Sequence, residues 1–220
     1  MSVARRLGDP GLHAYALRHH GNELRKSGFH LRALDRLGQA RDTARTTTER
    51  AEAVILLARA AGAAGRAAVF DAAVEEGRRL LDEATPTALF SAFTLHEVRL
   101  RGLMGTGRVA EAVRQLDQAP AAGLAATSQW RIIAAITADE VLLRQGDATG
   151  AAQQLTTAVD GATLHRLPHQ LQRVVRAGHR LPGVRERAGR RPGTAEGRDS
   201  GLTPGSGQRR LARPVLLSFR

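Results

Sequence analysis

Apolar residues recur through most of the chain at steps of three and four, the spacing of one face of an α-helix. Glycines interrupt the pattern, and four interruptions look alike. The segments read ALRHHGNELRKSGFHLRALDRLGQA, AVILLARAAGAAGRAAVFDAAVEEG, LHEVRLRGLMGTGRVAEAVRQLDQA and TADEVLLRQGDATGAAQQLTTA, anchored on Gly28, Gly65, Gly107 and Gly146. The anchors are 37, 42 and 39 residues apart. Five residues after each anchor stand Ala33, Phe70, Ala112 and Ala151; nine after stand Leu37, Val74, Leu116 and Leu155; twelve after stand Ala40, Gly77, Ala119 and Ala158. Four before it stand Leu24, Ala61, Leu103 and Leu142. Small residues at fixed offsets let two antiparallel helices approach, and the larger ones fill the seam. The pattern predicts helices over 10–26, 30–44, 47–63, 67–83, 86–105, 109–118, 128–145 and 148–160, with a last one over 169–178 to cover the open end.

Capping residues fit these boundaries. Asp9-Pro10 and Thr85-Pro86 place a side-chain acceptor before proline at a first helical position. Thr46 and Glu49 have capping-box spacing, and Asp147 can cap the helix that follows Gly146.

On these residues the chain resembles the tetratricopeptide repeats, helix–turn–helix units of about 34 residues. The first unit is nearest to the family pattern, with Gly21, Gly28, Ala33 and Ala40 at its small-residue positions. The second departs most, with Ala58 for the first glycine and Phe70 where alanine is usual. The resemblance covers about residues 10–160 and extends, more loosely, to the helical-repeat portions of actinobacterial regulators. It implies an all-α, right-handed superhelix of about four antiparallel helix pairs plus a capping helix, within a domain spanning 1–180.

From about Leu181 the apolar period stops. The segment GRRPGTAEGRDSGLTPGSGQRR cannot bury enough surface to offset its ordering entropy, so 181–220 reads as a disordered basic tail. Residues 180–220 hold ten arginines against Glu186, Glu196 and Asp199, which accounts for most of the net charge of +12. The absence of cysteine excludes a disulfide framework, a thiolate metal site and a cysteine nucleophile. Aromatics are 3% of the chain, too few for a single-stranded nucleic-acid stacking platform. Neither a secretory leader nor an apolar run of about 18 residues is present, so a cytoplasmic protein without a membrane partner is expected.

The candidate chemistry follows from the repeat. A stack of this kind presents the first helix of each pair on its concave face. One position after the family's first glycine site stand Asn22, Arg59, Arg101 and Glu140; four residues earlier stand Arg18, Ile55, Glu97 and Ile136. Arg25 and Lys26 lie a turn further along the first helix. The expected peptide-binding residues are therefore Arg18, Asn22, Arg25, Lys26, Arg59 and Arg101. In the family, a basic residue and an asparagine at these places of the first unit hold a peptide's terminal carboxylate. The resemblance thus implies a protein or peptide segment, acidic or C-terminal, as partner. The competing reading is that these are solvated arginines, with Glu97 and Glu140 neutralising Arg101 and Arg144 locally.

Other chemistries find little support. His165 and His169 are four apart, but Pro168 stands between them and no third ligand is near, so no metal and no cofactor is expected. No nucleophile elbow, Walker loop or dinucleotide fingerprint occurs, and Gly62 and Gly65 in RAAGAAGRAA suit tight helix packing better than a phosphate loop. The adjacent acids Glu75-Glu76 and Asp139-Glu140 splay apart on their helices. A non-catalytic scaffold or sensor is the expectation. The alternative is a regulatory protein that contacts nucleic acid through Arg190-Arg191 and Arg209-Arg210 of the tail. Phe90, Phe93, Trp130, Ile132 and Ile133 are expected in the core, or in part as groove anchors.

Overall fold

The computed structural model describes residues 10–118 and 127–180, and these form nine α-helices with no strand among them. They are α1 (Pro10–Lys26), α2 (His30–Thr43), α3 (Thr47–Ala63), α4 (Ala67–Leu80), α5 (Ala92–Gly105), α6 (Val109–Leu116), α7 (Ser128–Gln145), α8 (Ala148–Leu164) and α9 (Pro168–Gly178). The protein is all-α across the described residues. The expected tail, 181–220, lies outside them, as does Asp9.

Each helix packs on the next, and each odd-numbered helix also touches the odd-numbered one after it, from α1 through α9. The odd helices therefore form one layer, with the even helices filling in behind it. Among the described glycines, the four anchors are the ones with left-handed backbone: Gly28, Gly65, Gly107 and Gly146 have φ between +66° and +92°. Each sits where an odd helix ends. The amide after each glycine donates to a carbonyl five residues back, Phe29 to Leu24, Arg66 to Ala61, Arg108 to Leu103 and Asp147 to Leu142, at 2.8–3.0 Å. This closure satisfies carbonyls that a helix end leaves free, and it favours a residue without a Cβ. The turn from α8 to α9 closes the same way, Leu167 to Ala162 at 2.9 Å, but there Arg166 carries the left-handed φ of 50°.

The fixed offsets are interior positions. Ala33, Phe70, Ala112 and Ala151 are buried, as are Leu37, Val74 and Leu155, while Ala119 falls outside the described residues. Phe70 stands where the other units have alanine, and its ring lies where a Cβ on Gly102 would have to go. A Cβ on Gly62 would lie 2.6 Å from the Cα of Gly102. Glycine on both helices thus lets α3 and α5 touch backbone to backbone, which makes room for the ring. α3 is buried nearly all round, from Ala51 to Gly62, because four helices surround it.

Two boundaries differ most from expectation, while α4 ends three residues early at Leu80. Residues 86–91 are not helical, and α5 starts at Ala92. A stronger start signal lies further along. Ser91 accepts from the Thr94 amide at 3.2 Å while the Thr94 hydroxyl oxygen accepts from the Ser91 amide at 2.8 Å. Both are buried, and Phe90 beside them is 1% exposed, which pins the preceding loop to the core. α8 runs to Leu164 rather than 160, since nothing breaks it before Pro168. Thr46 and Asp147 cap α3 and α8 as expected, accepting from the amides of Glu49 and Gly150. No described helix is long and apolar enough to cross a membrane.

Candidate functional site

The layer of odd helices frames a cavity of about 880 Å³. α1 contributes Asn22, Arg25 and Lys26 from its last turns, α3 contributes Arg59, and α5 contributes Arg101. α7 presents its first turn, Ser128 to Trp130, and α9 adds His169, Gln170, Arg173 and Arg176. Ala88 and Leu89 of the 81–91 loop close one side. Among the described residues the lining holds six cationic side chains (Arg25, Lys26, Arg59, Arg101, Arg173 and Arg176) and no carboxylate.

Repeat geometry explains this convergence. Asn22, Arg59 and Arg101 share one offset from their glycines, so the stacking of α1, α3 and α5 brings them onto one wall. Glu140, at the same offset in α7, does not reach the cavity and pairs instead with Arg180 at 3.3 Å. The row four residues earlier points inward: Ile55, Glu97 and Ile136 are all buried. Arg18 belongs to that inward row. It does not line the cavity; its guanidinium meets Glu52, and both side chains are nearly enclosed. Five of the six expected residues are therefore together and Arg18 is not, because its position along α1 faces α3 rather than the opening.

The cations are held firmly. Arg25 donates from Nε and Nη2 to Asn22 Oδ1 at 3.2 and 3.0 Å. Arg101 donates to Glu97 Oε1 at 2.9 Å and to the Thr137 hydroxyl at 3.2 Å. Thr137 in turn donates to the same Glu97 oxygen at 2.9 Å, so this buried carboxylate anchors Arg101 from below. Arg173 donates to the buried Gln170 at 3.2 Å. Arg59 lies over the Trp130 ring, 5.2 Å from its centroid, a cation–π contact of about 0.5–2 kcal/mol. The Trp130 indole donates to the Ala88 carbonyl at 2.5 Å, which fixes the ring. Arg59 Nε is buried and has no partner among the described residues.

Burial and mutual repulsion act on these groups together. Burial, then the charges of Arg25 and other arginines, lower the basicity of Arg59 to about 9. Burial followed by Arg101 lowers Arg173 to about 10, and the same two causes lower Arg25. Arg59 and Arg173 remain cationic at neutral pH. Glu97 offsets the loss at all three, and Glu23 adds to it at Arg25.

A second cavity of about 770 Å³ lies along α1 and α2 and mixes Arg32 and Arg36 with Asp35 and Asp42, so it has no single sign. Among the described residues no three histidine, aspartate or glutamate side chains group to hold a metal. His165 and His169 both edge the main cavity, but Pro168 begins α9 between them.

The sequence reading missed Arg173 and Arg176; Trp130, expected in the core or in part as a groove anchor, is 6% exposed within the core and also edges the cavity. A signal existed in the spacing Gln170–Arg173–Arg176, three residues apart on one face of a helix read only as a cover. The chain matches no protein-family model, no curated protein and no solved structure.

Proposed function

We propose that the chain is a tetratricopeptide-like superhelical stack that binds a peptide or protein segment, without catalysis, in the cavity of the odd-helix layer. The observation that carries this reading is the convergence of cations from α1, α3, α5 and α9 on one opening whose lining has no acid. Such an opening selects acidic segments. Guanidinium forks bind carboxylates bidentately, and each charge-assisted bond is worth about 1.5–3 kcal/mol. Asn22 and Arg25 orient the end of the segment, and Trp130 with Leu89 and Ile133 offers apolar contact. No residue is assigned a catalytic role and no cofactor is required.

The test is selection from a displayed peptide library on the intact protein. Acidic sequences should be enriched, and the double variant Asn22→Ala/Arg25→Ala should bind them at least about tenfold more weakly with unchanged helicity and melting. Equal affinity in the variant would discard the groove as the binding surface.

The ten arginines of residues 180–220 favour a second reading, in which the tail contacts nucleic acid. Binding of that kind falls steeply with ionic strength and is lost on truncation near Leu181. Groove binding survives that truncation.

A further inference from the structure

The sign and density of charge in the cavity narrow its ligand. Of the six cations, Arg101 already has Glu97 at 2.9 Å and Lys26 has Glu23 at 2.7 Å; a single carboxylate would offset one of the remaining four and leave three facing one another. Arg25, Arg59 and Arg173 each feel neighbouring arginines through space, Arg101 among them, and burial gives these three little water for relief. Two helix N-termini add to the field. The first turns of α7 and α9 both line the cavity, and each helix start carries about half a positive charge. Ser128 and Gln129 open α7 at the cavity wall. Arg59 Nε is enclosed and has no bond among the described residues, and no described acid pairs with this guanidinium. Cations in excess of their acid partners, with no acid among the described lining residues, are the features of a site for a group with two or more negative charges on tetrahedral oxygens. The cavity also exceeds what one such group fills, so the group belongs to a larger molecule.

We propose that the Arg59, Arg101 and Arg173 cluster, with the α7 N-terminus, is a phosphoryl-binding site. This deepens the groove reading by naming the anion that the ligand carries. The phosphoryl group comes either from a phosphorylated side chain of the bound segment or from a small organic phosphate.

Trp130 is the only tryptophan of the chain and stacks under Arg59, so its fluorescence reports this site and not the tail. Pyrophosphate is titrated into the full chain at constant ionic strength. The expected result is a saturable change in Trp130 emission, weakened by about tenfold or more in Arg101→Gln/Arg173→Gln. Arg66→Gln/Arg144→Gln removes the same charge from exposed sites outside the cavity and should bind as the parent does. Equal affinity in the two double variants overturns the proposal, as does a sodium acetate titration that matches pyrophosphate. Should the first double variant lose helicity, Arg176→Gln replaces it. That exposed side chain bonds only to its own helix, and a several-fold weakening is expected, no weakening being again fatal. A phosphoserine peptide compared with its unphosphorylated twin then separates the sources: tighter binding than pyrophosphate assigns the group to a segment, and weaker binding to a small molecule. Pyrophosphate binding without any peptide partner would remove the peptide reading and keep the anion site; acidic peptide binding without pyrophosphate would do the reverse.

Discussion

The α3–α5 seam and the interior of α7 handle the same kind of position in opposite ways. Between α3 and α5 the problem is volume. Gly62 and Gly102 bring two backbones together, and Phe70 fills the space that remains. In α7 the problem is charge. Asp139 occupies the slot that Gly21 fills on α1 and Ala58 on α3, and it is 0% exposed with neither carboxylate oxygen partnered among the described residues. Glu97, also buried, shows the alternative, since Arg101 and Thr137 both bond to it. A helix seam tolerates a misfit of size by adjusting glycines, but a misfit of charge persists as a cost until something neutralises it.

The largest effect should come from the volume seam. Phe70→Ala should destabilise the fold by about 3–5 kcal/mol in denaturant titration, because the ring is buried and leaves a cavity against glycine. Gly102→Ala alone should cost about 1–3 kcal/mol by collision with the same ring. The double variant should cost less than the sum, since the added methyl then enters vacated space. Strict additivity would show that the two residues do not share that space.

The charge seam should respond in the other direction. Burial raises the Asp139 carboxyl from 3.8 to about 6, with Arg180 opposing the rise and Glu140 adding to it. The folded state therefore holds a proton that the unfolded state releases, so this contribution improves as pH falls through 6 and levels off near 4. Allowing for screening by Arg180, Asp139→Asn should stabilise the protein by about 1–2 kcal/mol at pH 7.5 and by almost nothing at pH 4. Melting curves at the two pH values check this, and a gain independent of pH would contradict it.

The smallest effect belongs to the last turn. Arg166→Gly should stabilise by about 0.5 kcal/mol, since relief of the left-handed backbone is partly offset by glycine's freedom when unfolded. A loss of melting temperature would mean that the arginine side chain does more there than the backbone loses.

The repeat explains what was legible beforehand. Gly28, Gly65, Gly107 and Gly146 announce the left-handed turns, because no other residue takes that backbone at little cost. The shared offset of Asn22, Arg59 and Arg101 announces the cavity wall, because equal offsets land on equal faces once helices stack. Features that do not repeat were illegible. Pro86 looks like a helix start until Phe90 claims the core and Ser91 and Thr94 form a better one. Arg166 takes a glycine's conformation without being glycine. Arg18 reads as part of the cavity, yet its row proves interior only when Ile55, Glu97 and Ile136 are seen buried. The α9 arginines join the site through the packing of α9 on α7 and α8, which no pattern within α9 encodes.

The loop before α5 has a mechanical consequence. Thr87 donates to Glu52, which also meets Arg18, while Ala88 next to it receives the Trp130 indole. One short connector therefore acts as a tie rod between α1, α3 and α7. Lengthening it would let the walls of the opening drift apart while every helix kept its own bonds, so the width of the mouth is set by a segment that belongs to none of them.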